Sequence, residues 1–169
     1  CTYRDELAVV KITAGLHYPD RLTYAGRLDN DSEGLLIMTN DGDLIESMMR
    51  GTNRHEKEYI VRVNKPLTDA ALDKMRKGIY LKELRLMTRP CEITRLESDT
   101  MRMILTQGMN RQIRRMCGAI GYQVRSLKRT RVMNIELGML KPGEYRELTE
   151  EERIRLYALC FPETAKNGE

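Results

Sequence analysis

The sequence has few of the residues that mark several common protein classes. Its 169 residues include no Trp, one Phe and only two histidines, His17 and His55, which have no metal-binding spacing. No apolar run could span a membrane, and no signal-peptide pattern opens the chain. The four cysteines form no CxxC pair, which favours reduced thiols over zinc ligands or disulfides: Cys1, Cys91, Cys117 and Cys160. We therefore expect a globular, cytoplasmic protein without a metal site.

Acidic residues are missing from one long stretch of a chain that is only modestly basic. The net charge is +4, yet no Asp or Glu occurs between Asp99 and Glu136. This asymmetry predicts a partner with a phosphate backbone, since ordinary surfaces intersperse both signs. A solvated surface without a partner is the alternative. The basic window contains eight cations: Arg102, Arg111, Arg114, Arg115, Arg125, Lys128, Arg129 and Arg131.

A short glycine-flanked loop places a carboxylate, Asp29, just before an apolar run over 35–39. The run is bounded by turn residues and is predicted to be a buried strand. A strand is a rigid support, so a loop residue beside it can face a ligand without being buried itself. Asp29 is therefore a candidate catalytic group.

The same loop allows two other interpretations. Asp29, Asp31 and Glu33 alternate as in the first half of an EF-hand calcium loop. The twelfth position of such a loop needs a carboxylate, but it is occupied by Asn40. Such a loop also needs a helix after it, whereas 35–39 is predicted to be a strand. A calcium site is therefore disfavoured. The remaining interpretation is a surface turn with carboxylates and no further role.

Strands and helices are predicted to interleave irregularly along the chain. Thr68 is predicted to cap a helix that ends at Gly78, and Thr149 with Glu152 to form a capping box for a last helix over 154–160. Strands are predicted over 35–39, 59–63, 101–106 and 123–135 and within 80–94, with a further helix after 40–43. This order predicts an α+β fold with a mixed, largely antiparallel sheet and flanking helices.

A basic helix is predicted between a cap at Asn110 and a stop at Gly121. At 100° per residue its apolar face would pack on the core, with Arg111 and Arg115 nearly opposite. Arg114 falls at the boundary, where a guanidinium can reach a cleft, although an ordinary snorkelling arginine is the alternative. The apolar face consists of Ile113, Met116, Cys117 and Ile120.

Tyr59 is a candidate platform for a nucleic-acid base. It begins an alternating strand in which Tyr59, Val61 and Val63 share one face. A tyrosine in the core is the default interpretation, whereas stacking on a base would contribute roughly 1–3 kcal/mol. His55 has no partner pattern and is predicted to be structural.

Four motifs in this order resemble a pseudouridine synthase of the RsuA/RluB/RluE/RluF family, and most of all its RluF type. The resemblance covers nearly the whole chain. The motifs are Gly26–Asp29 together with 34–42, Glu56–Tyr59, Asn110–Met116 and Leu127–Asn134.

The resemblance implies a bacterial enzyme that converts a uridine of 23S ribosomal RNA, near the peptidyl-transferase centre, to pseudouridine. It implies a fold with a central cleft, a monomer, and no metal or organic cofactor. Asp29 would be the catalytic aspartate, Arg114 would pair with it, and Tyr59 would stack on the uracil. Leu127 would line the pocket. Apart from the resemblance, the basic residues are candidate substrate contacts, some of them through phosphates: Arg27, Arg111, Arg115, Lys128 and Arg129.

The resemblance also predicts how the chain is organised. Residues 1–161 are expected to form the catalytic domain and 162–169 a flexible polar tail. Because the chain begins at Cys1 rather than Met, we expect residues upstream, including the family's Lys-Pro-x-Gly strand. The small S4-like RNA-binding domain of the family is not expected within this chain. The alternative function is a non-catalytic RNA-binding module, in which the basic window matters and Asp29 does not.

Overall fold

The computed structural model describes residues 22–162. The first part contains β1 (Thr23–Tyr24), β2 (Glu33–Gly34), β3 (Met38–Thr39), α1 (Gly42–Met49), a short 3-10 helix (Gly51–Asn53), β4 (Lys57–Val63) and α2 (Asp69–Lys77). It continues with β5 (Tyr80–Leu81), β6 (Leu86–Met87), β7 (Glu92–Glu97), β8 (Thr100–Leu105), α3 (Gln112–Ala119), β9 (Val124–Val132), β10 (Ile135–Glu136) and α4 (Glu150–Cys160).

A six-stranded sheet forms the centre of the described residues. Its strand order is β10–β9–β4–β8–β7, with β2 pairing alongside β9. All pairs are antiparallel except β2 with β9, which is parallel. Two small antiparallel sheets, β1–β3 and β5–β6, complete the set. The predicted α+β fold with a mixed, largely antiparallel sheet is confirmed.

The register between β4 and β9 decides which side chains share a face. Tyr59 lies opposite Arg129, and Val61 lies opposite Leu127. Directly opposed residues of an antiparallel pair project to the same side. Tyr59, Leu127 and Arg129 therefore face one side of the sheet, whereas the pair Ile60 and Lys128 faces the other.

Two hydrophobic cores flank this arrangement. The first packs α2 and α3 against β4 and β8, with Met75, Met101 and Met116 fully buried. The second packs α1 and α4 around Leu35 and Ile135. The predicted apolar face of the basic helix is confirmed, since its four members belong to or pack against the first core.

Helix ends agree with the predicted caps at two places. Thr68 accepts from the Ala71 amide at the start of α2, and Gly78 is its C-cap. Thr149 and Glu152 form the predicted capping box of α4, although α4 begins at Glu150, earlier than the predicted 154.

Three local predictions were wrong. The apolar run over 35–39 is buried, but only β3 within it is a strand, because the chain leaves β9 after β2 and then joins β1. The predicted strand over 123–135 is broken by a turn at Met133, whose φ is +54°. Asn110 does not cap α3; the N-cap is Arg111, which has a φ of 49° and no side-chain cap hydrogen bond.

The remaining predictions concern cysteines, the ends of the chain and the membrane. The described thiols of Cys91, Cys117 and Cys160 are free. Cys1, His17 and the predicted tail from residue 163 onward lie outside the described residues. Between residues 22 and 162, no helix has the length and apolar character needed to cross a membrane.

Candidate active site

A cleft of about 430 Å³ lies between the two cores. Its walls include Met48 of the second core and Leu105 and Ile113 of the first. Six of the residues predicted for the site line it: Arg27, Asp29, Tyr59, Arg111, Leu127 and Arg129. The other three, Arg114, Arg115 and Lys128, lie outside its lining.

The Asp29 loop is fixed to the sheet by its backbone. The Ser32 amide donates to the Asp29 carbonyl at 2.9 Å, and the Leu35 amide donates to the Arg129 carbonyl at 2.8 Å. Gly34 lies so close to β9 that a Cβ there would be 2.2 Å from the Arg129 carbonyl oxygen. A glycine is therefore required where the loop meets the strand, and the loop carries Asp29 to the cleft.

Asp31, rather than Asp29, is the principal acidic partner of the arginines. Arg111 donates to both Asp31 carboxylate oxygens, at 3.0 and 2.7 Å. Its Nη1 atom lies 3.9 Å from the nearer Asp29 oxygen. The hydrogen bond from Arg111 is the main cause that lowers the pKa of Asp31, with Arg114 adding to it and partial burial opposing it.

The predicted pair between Arg114 and Asp29 was wrong. Arg114 Nε lies 3.3 Å from an Asp31 carboxylate oxygen, and its Nη2 donates to the Asp31 carbonyl and to the Ser32 hydroxyl. The side chain is only 15% exposed, as expected for a boundary position. Helical geometry gave the boundary position, but it could not tell which of two neighbouring carboxylates the guanidinium would reach. Asp31, predicted to be a turn residue, is therefore the carboxylate that both arginines contact, and Arg111 also lies 3.9 Å from an Asp29 oxygen.

Most cations of the basic window face acidic partners in space. Arg115 pairs with Glu83 and also donates to the Asn110 carbonyl, and Arg131 pairs with Glu56. Arg102 lies 4.0 Å from Glu92. With Arg111 and Arg114 on Asp31, five of the eight cations have a carboxylate neighbour. The window without acidic residues in sequence is thus not an unopposed basic patch in the fold.

Lys128 is exposed on the sheet face that points away from the cleft. It is paired with Ile60 in the register, one residue from both Leu127 and Arg129. Because successive side chains of a strand alternate, a contact between Lys128 and a ligand inside the cleft is excluded by this geometry.

Arg129 is buried in the floor of the cleft with 3% exposure. Its Nε donates to the Leu35 carbonyl at 2.8 Å, and its Nη1 donates to the Arg27 carbonyl at 3.3 Å. Its Nη2 is buried and has no hydrogen-bond partner among the described residues. The side chain therefore ties the Asp29 loop to β9 and also leaves one donor unused.

Two residues that line the cleft were not predicted as site residues from the sequence. Lys57 stands two positions before Tyr59 on β4 and lines the cleft, and burial lowers its pKa, with Arg129 as the second cause. The period of two along a strand could have placed it there. His55 also lines the cleft, its Nε2 is buried without a partner, and burial lowers its pKa. It was predicted to be structural from its lack of a partner pattern.

The position of Tyr59 fits either use of a tyrosine. The residue packs against the first core, is half-buried, and still lines the cleft beside Leu127.

The loop is poorly suited to bind calcium, since both carboxylate oxygens of Asp31 accept hydrogen bonds from Arg111. Within residues 22–162, no group of three or more His, Cys, Asp or Glu side chains is placed to hold a metal ion.

Comparison with known proteins assigns the family. The sequence profile described as RNA pseudouridylate synthase matches residues 9–119. The chain belongs to the RNA pseudouridylate synthase family. It is 44% identical over 144 residues to the dual-specificity RNA pseudouridine synthase RluF of Shigella flexneri, covering 85% of this chain and 49% of that protein. The predicted resemblance to the RluF type is confirmed.

Further relatives support the same family and fold. The ribosomal small subunit pseudouridine synthase A of Yersinia pestis is 36% identical over 133 residues, covering 78% of this chain and 57% of that protein. A crystal structure of a pseudouridylate synthase superposes with a TM-score of 0.77 at 31% identity, covering 80% of this chain and 59% of that one. The chain spans about half the length of the curated RluF relatives it matches.

Proposed function

We propose that this chain carries the catalytic site of a synthase that isomerises a uridine of ribosomal RNA to pseudouridine. The observation that supports it most is that Asp29, Tyr59 and Leu127 line one cleft, although they are far apart in sequence. The target we favour is a uridine of 23S ribosomal RNA near the peptidyl-transferase centre, as the RluF-type motifs suggest. RNA would be the partner of a cytoplasmic monomer, and no metal or organic cofactor is part of the proposal.

Asp29 is the group that does the chemistry in this proposal. The reaction breaks the C1′–N1 bond of the uridine and joins C1′ to C5, with no net change in atoms. An ionised carboxylate can attack C1′ or the base as a nucleophile, or it can take a proton from the sugar. Asp29 is about one-third exposed on its side chain, so a substrate atom can reach it.

Tyr59 and Leu127 would hold the base once it has left its stack. A uridine inside an RNA helix must be flipped out to reach such a cleft, which costs a few kcal/mol. An aromatic ring that stacks on the base contributes roughly 1–3 kcal/mol in return. Tyr59 and Leu127 lie on adjacent strands and face the same side of the sheet, so a planar base can contact both.

The arginines divide between the mouth and the outside of the cleft. Arg27 is exposed at the lining, and Arg111 lies beside Asp29, so both could contact phosphates near the flipped nucleotide. Arg115 and Lys128 could contact only RNA segments outside the cleft. This arrangement favours a catalytic cleft over a binding module that depends on one continuous basic surface.

The test is to map pseudouridine after incubating ribosomal RNA with the protein. The full-length protein and the 169-residue chain would each be incubated with unmodified 23S rRNA, and the modified position would be read by sequencing. We expect one uridine near the peptidyl-transferase centre to be modified by the full-length protein. Modification only in 16S rRNA would contradict the target, and binding to RNA without any modification would favour the non-catalytic module.

A matched pair of variants isolates the carboxylate. Asp29→Asn should abolish modification with little effect on RNA binding. Asp43→Asn removes an exposed carboxylate in the first turn of α1 and should leave modification unchanged. Full activity of Asp29→Asn would contradict the proposed role of Asp29.

A further inference from the structure

Two cations at the floor of the cleft have no acidic partner. Arg129 is almost fully buried and donates only to two backbone carbonyls, those of Leu35 and Arg27. Lys57 is half-buried on the neighbouring strand. Among the ion pairs of the described residues, none includes Lys57 or Arg129. Buried cations in proteins are normally paired, so this floor is unusual.

The two cations are neighbours in the same part of the cleft. Lys57 and Tyr59 are two apart on β4, and Arg129 is opposite Tyr59 in the register. The charge of Arg129 also helps to lower the pKa of Lys57, after the larger effect of burial. Both line the cleft together with Asp29.

One hydrogen-bond donor at the floor of the cleft has no acceptor. The Nη2 atom of Arg129 is buried and makes no hydrogen bond with any described residue. A buried donor without a partner destabilises the fold, and more so when it is charged. The cost is recovered if a ligand places an acceptor there. Repulsion between Lys57 and Arg129 would fall at the same time if that acceptor were negative.

We propose that Lys57 and Arg129 form a subsite for the negatively charged carbonyl oxygens of the uracil ring during the reaction. The inference rests on the proposed function. When the C1′–N1 bond breaks, both electrons stay with the ring, and the charge spreads from N1 to the O2 and O4 oxygens. The electron pair that C1′ loses is replaced either by a bond to an Asp29 oxygen or by the electrons of the C2′–H bond as the C2′ proton leaves.

The remaining steps return the ring to neutrality. C5 then bonds to C1′ as the bond from C1′ to the Asp29 oxygen breaks or, on the other route, as C2′ regains its proton. The C5 proton leaves, and N1 takes up a proton. A cationic floor stabilises the ring anion between these two bond changes, and it does so more strongly than it stabilises the neutral uridine. Lys57 and Arg129 would thus act on the bond that breaks, from the side of the base, while Asp29 acts from the side of the sugar.

The direct test uses small ligands and needs no turnover. 6-Azauracil has the size of uracil but ionises near neutral pH, so at mildly alkaline pH it mimics the ring anion. Binding of 6-azauracil, uracil and inorganic phosphate to the folded chain would be compared by ligand-observed NMR. We expect 6-azauracil to bind at least ten times more tightly than uracil, and phosphate not to displace it.

Variants of Lys57 show whether the floor is responsible. Lys57→Met should weaken 6-azauracil binding at least tenfold, and Lys57→Arg should restore most of it. Lys74→Met, an exposed lysine of α2, is the matched control and should bind as the wild type does. Circular dichroism checks that each variant is folded, and Lys57→Gln replaces Lys57→Met if the latter is not. Arg129 is left intact because it also holds the Asp29 loop.

Other outcomes would overturn the subsite or the proposed function, and the two failures can be told apart. Equal binding of uracil and 6-azauracil, or unchanged binding by folded Lys57→Met, would show that the floor does not select the anion. Displacement of 6-azauracil by phosphate would make the floor a phosphate subsite instead.

In the RNA reaction, Lys57→Met should lower kcat roughly a hundredfold with little change in KM, as for loss of one anion-stabilising donor. Pseudouridine formation without 6-azauracil binding would refute the subsite alone; anion binding without pseudouridine formation would refute the proposed function alone.

Discussion

Arg111 reaches Asp29 only at 3.9 Å, from a guanidinium that is already hydrogen-bonded to Asp31. The backbone of Arg111 is in the left-handed region, with a φ of 49°, at the residue before α3. Non-glycine residues adopt this conformation rarely, and here the same residue makes two side-chain hydrogen bonds to Asp31. The guanidinium that lies nearest to Asp29 is therefore positioned by a second carboxylate, that of Asp31.

The first prediction separates Arg111 from an arginine outside the site. Arg111→Met removes the cation nearest to Asp29, and we expect kcat to fall by about a hundredfold, the lower end of the loss seen when one charge-stabilising donor is removed from an active site. Arg125→Met, an exposed change on β9, should leave kcat unchanged. Single-turnover kinetics on ribosomal RNA would measure both. Equal losses for the two variants would mean that the effect is general attraction for RNA.

The second prediction concerns acid stability. Arg111 and Arg114 lower the pKa of Asp31 below its ordinary value of 3.8, so the ionised carboxylate stabilises the folded chain. This contribution is complete above the unfolded value and is lost as the pH falls through the lower folded value. Asp31→Asn should therefore have a lower Tm than the wild type at pH 7, and the difference should shrink below about pH 4. A difference in Tm that is independent of pH would contradict this origin.

The third prediction concerns the contact between the loop and β9. In Gly34→Ala the new Cβ would meet the backbone of Arg129 at 2.2 Å, at a φ of +117°. We expect a loss of at least about 2 kcal/mol in the free energy of unfolding, from backbone strain and overpacking. Gly118→Ala is the control, since nothing lies within 4 Å of its Cβ position in α3. That helix substitution should be neutral or stabilise by up to about 1 kcal/mol. Urea denaturation of both variants measures the difference.

The fourth prediction concerns the thiols. Burial raises the pKa of Cys117 to about 12 and that of Cys91 to about 11, and it also raises the pKa of Cys160. Because the thiolate is the reactive form, these groups should react slowly with a disulfide reagent at pH 8 and rapidly after denaturation. A Cys1→Ser background removes the fourth thiol. Rapid labelling of the folded chain would contradict the burial of these residues.

Much of the fold follows from patterns that are local in sequence. The capping residues Thr68 and Thr149 and the alternation over 59–63 each depend on a few neighbouring residues, and each is confirmed. The run over 35–39 was misassigned because its apolar residues give its burial but not its partners. The chain changes from β9 to β1 within that run, and pairing of distant strands leaves no mark on local periodicity.

In the site, too, local motifs could be predicted, whereas contacts between neighbouring alternatives or distant segments could not. Asp29, Tyr59 and Leu127 could be named from motifs, and the cleft brings all three together. The choice of Arg114 between two carboxylates could not be made, because Asp29 and Asp31 are two residues apart and the loop conformation decides which one it meets. The basic window does not form a surface of unpaired cations, because acidic partners such as Glu83 come from segments that are distant in sequence.

The most direct test of the account is the release of the C5 hydrogen that pseudouridine formation requires. Ribosomal RNA labelled with tritium at C5 of uridine would be incubated with the full-length protein and with its Asp29→Asn variant. We predict that the wild type releases tritium in proportion to the pseudouridine formed and that Asp29→Asn releases none above background while still binding the RNA. Tritium release by Asp29→Asn at the wild-type rate would contradict the central role of this carboxylate.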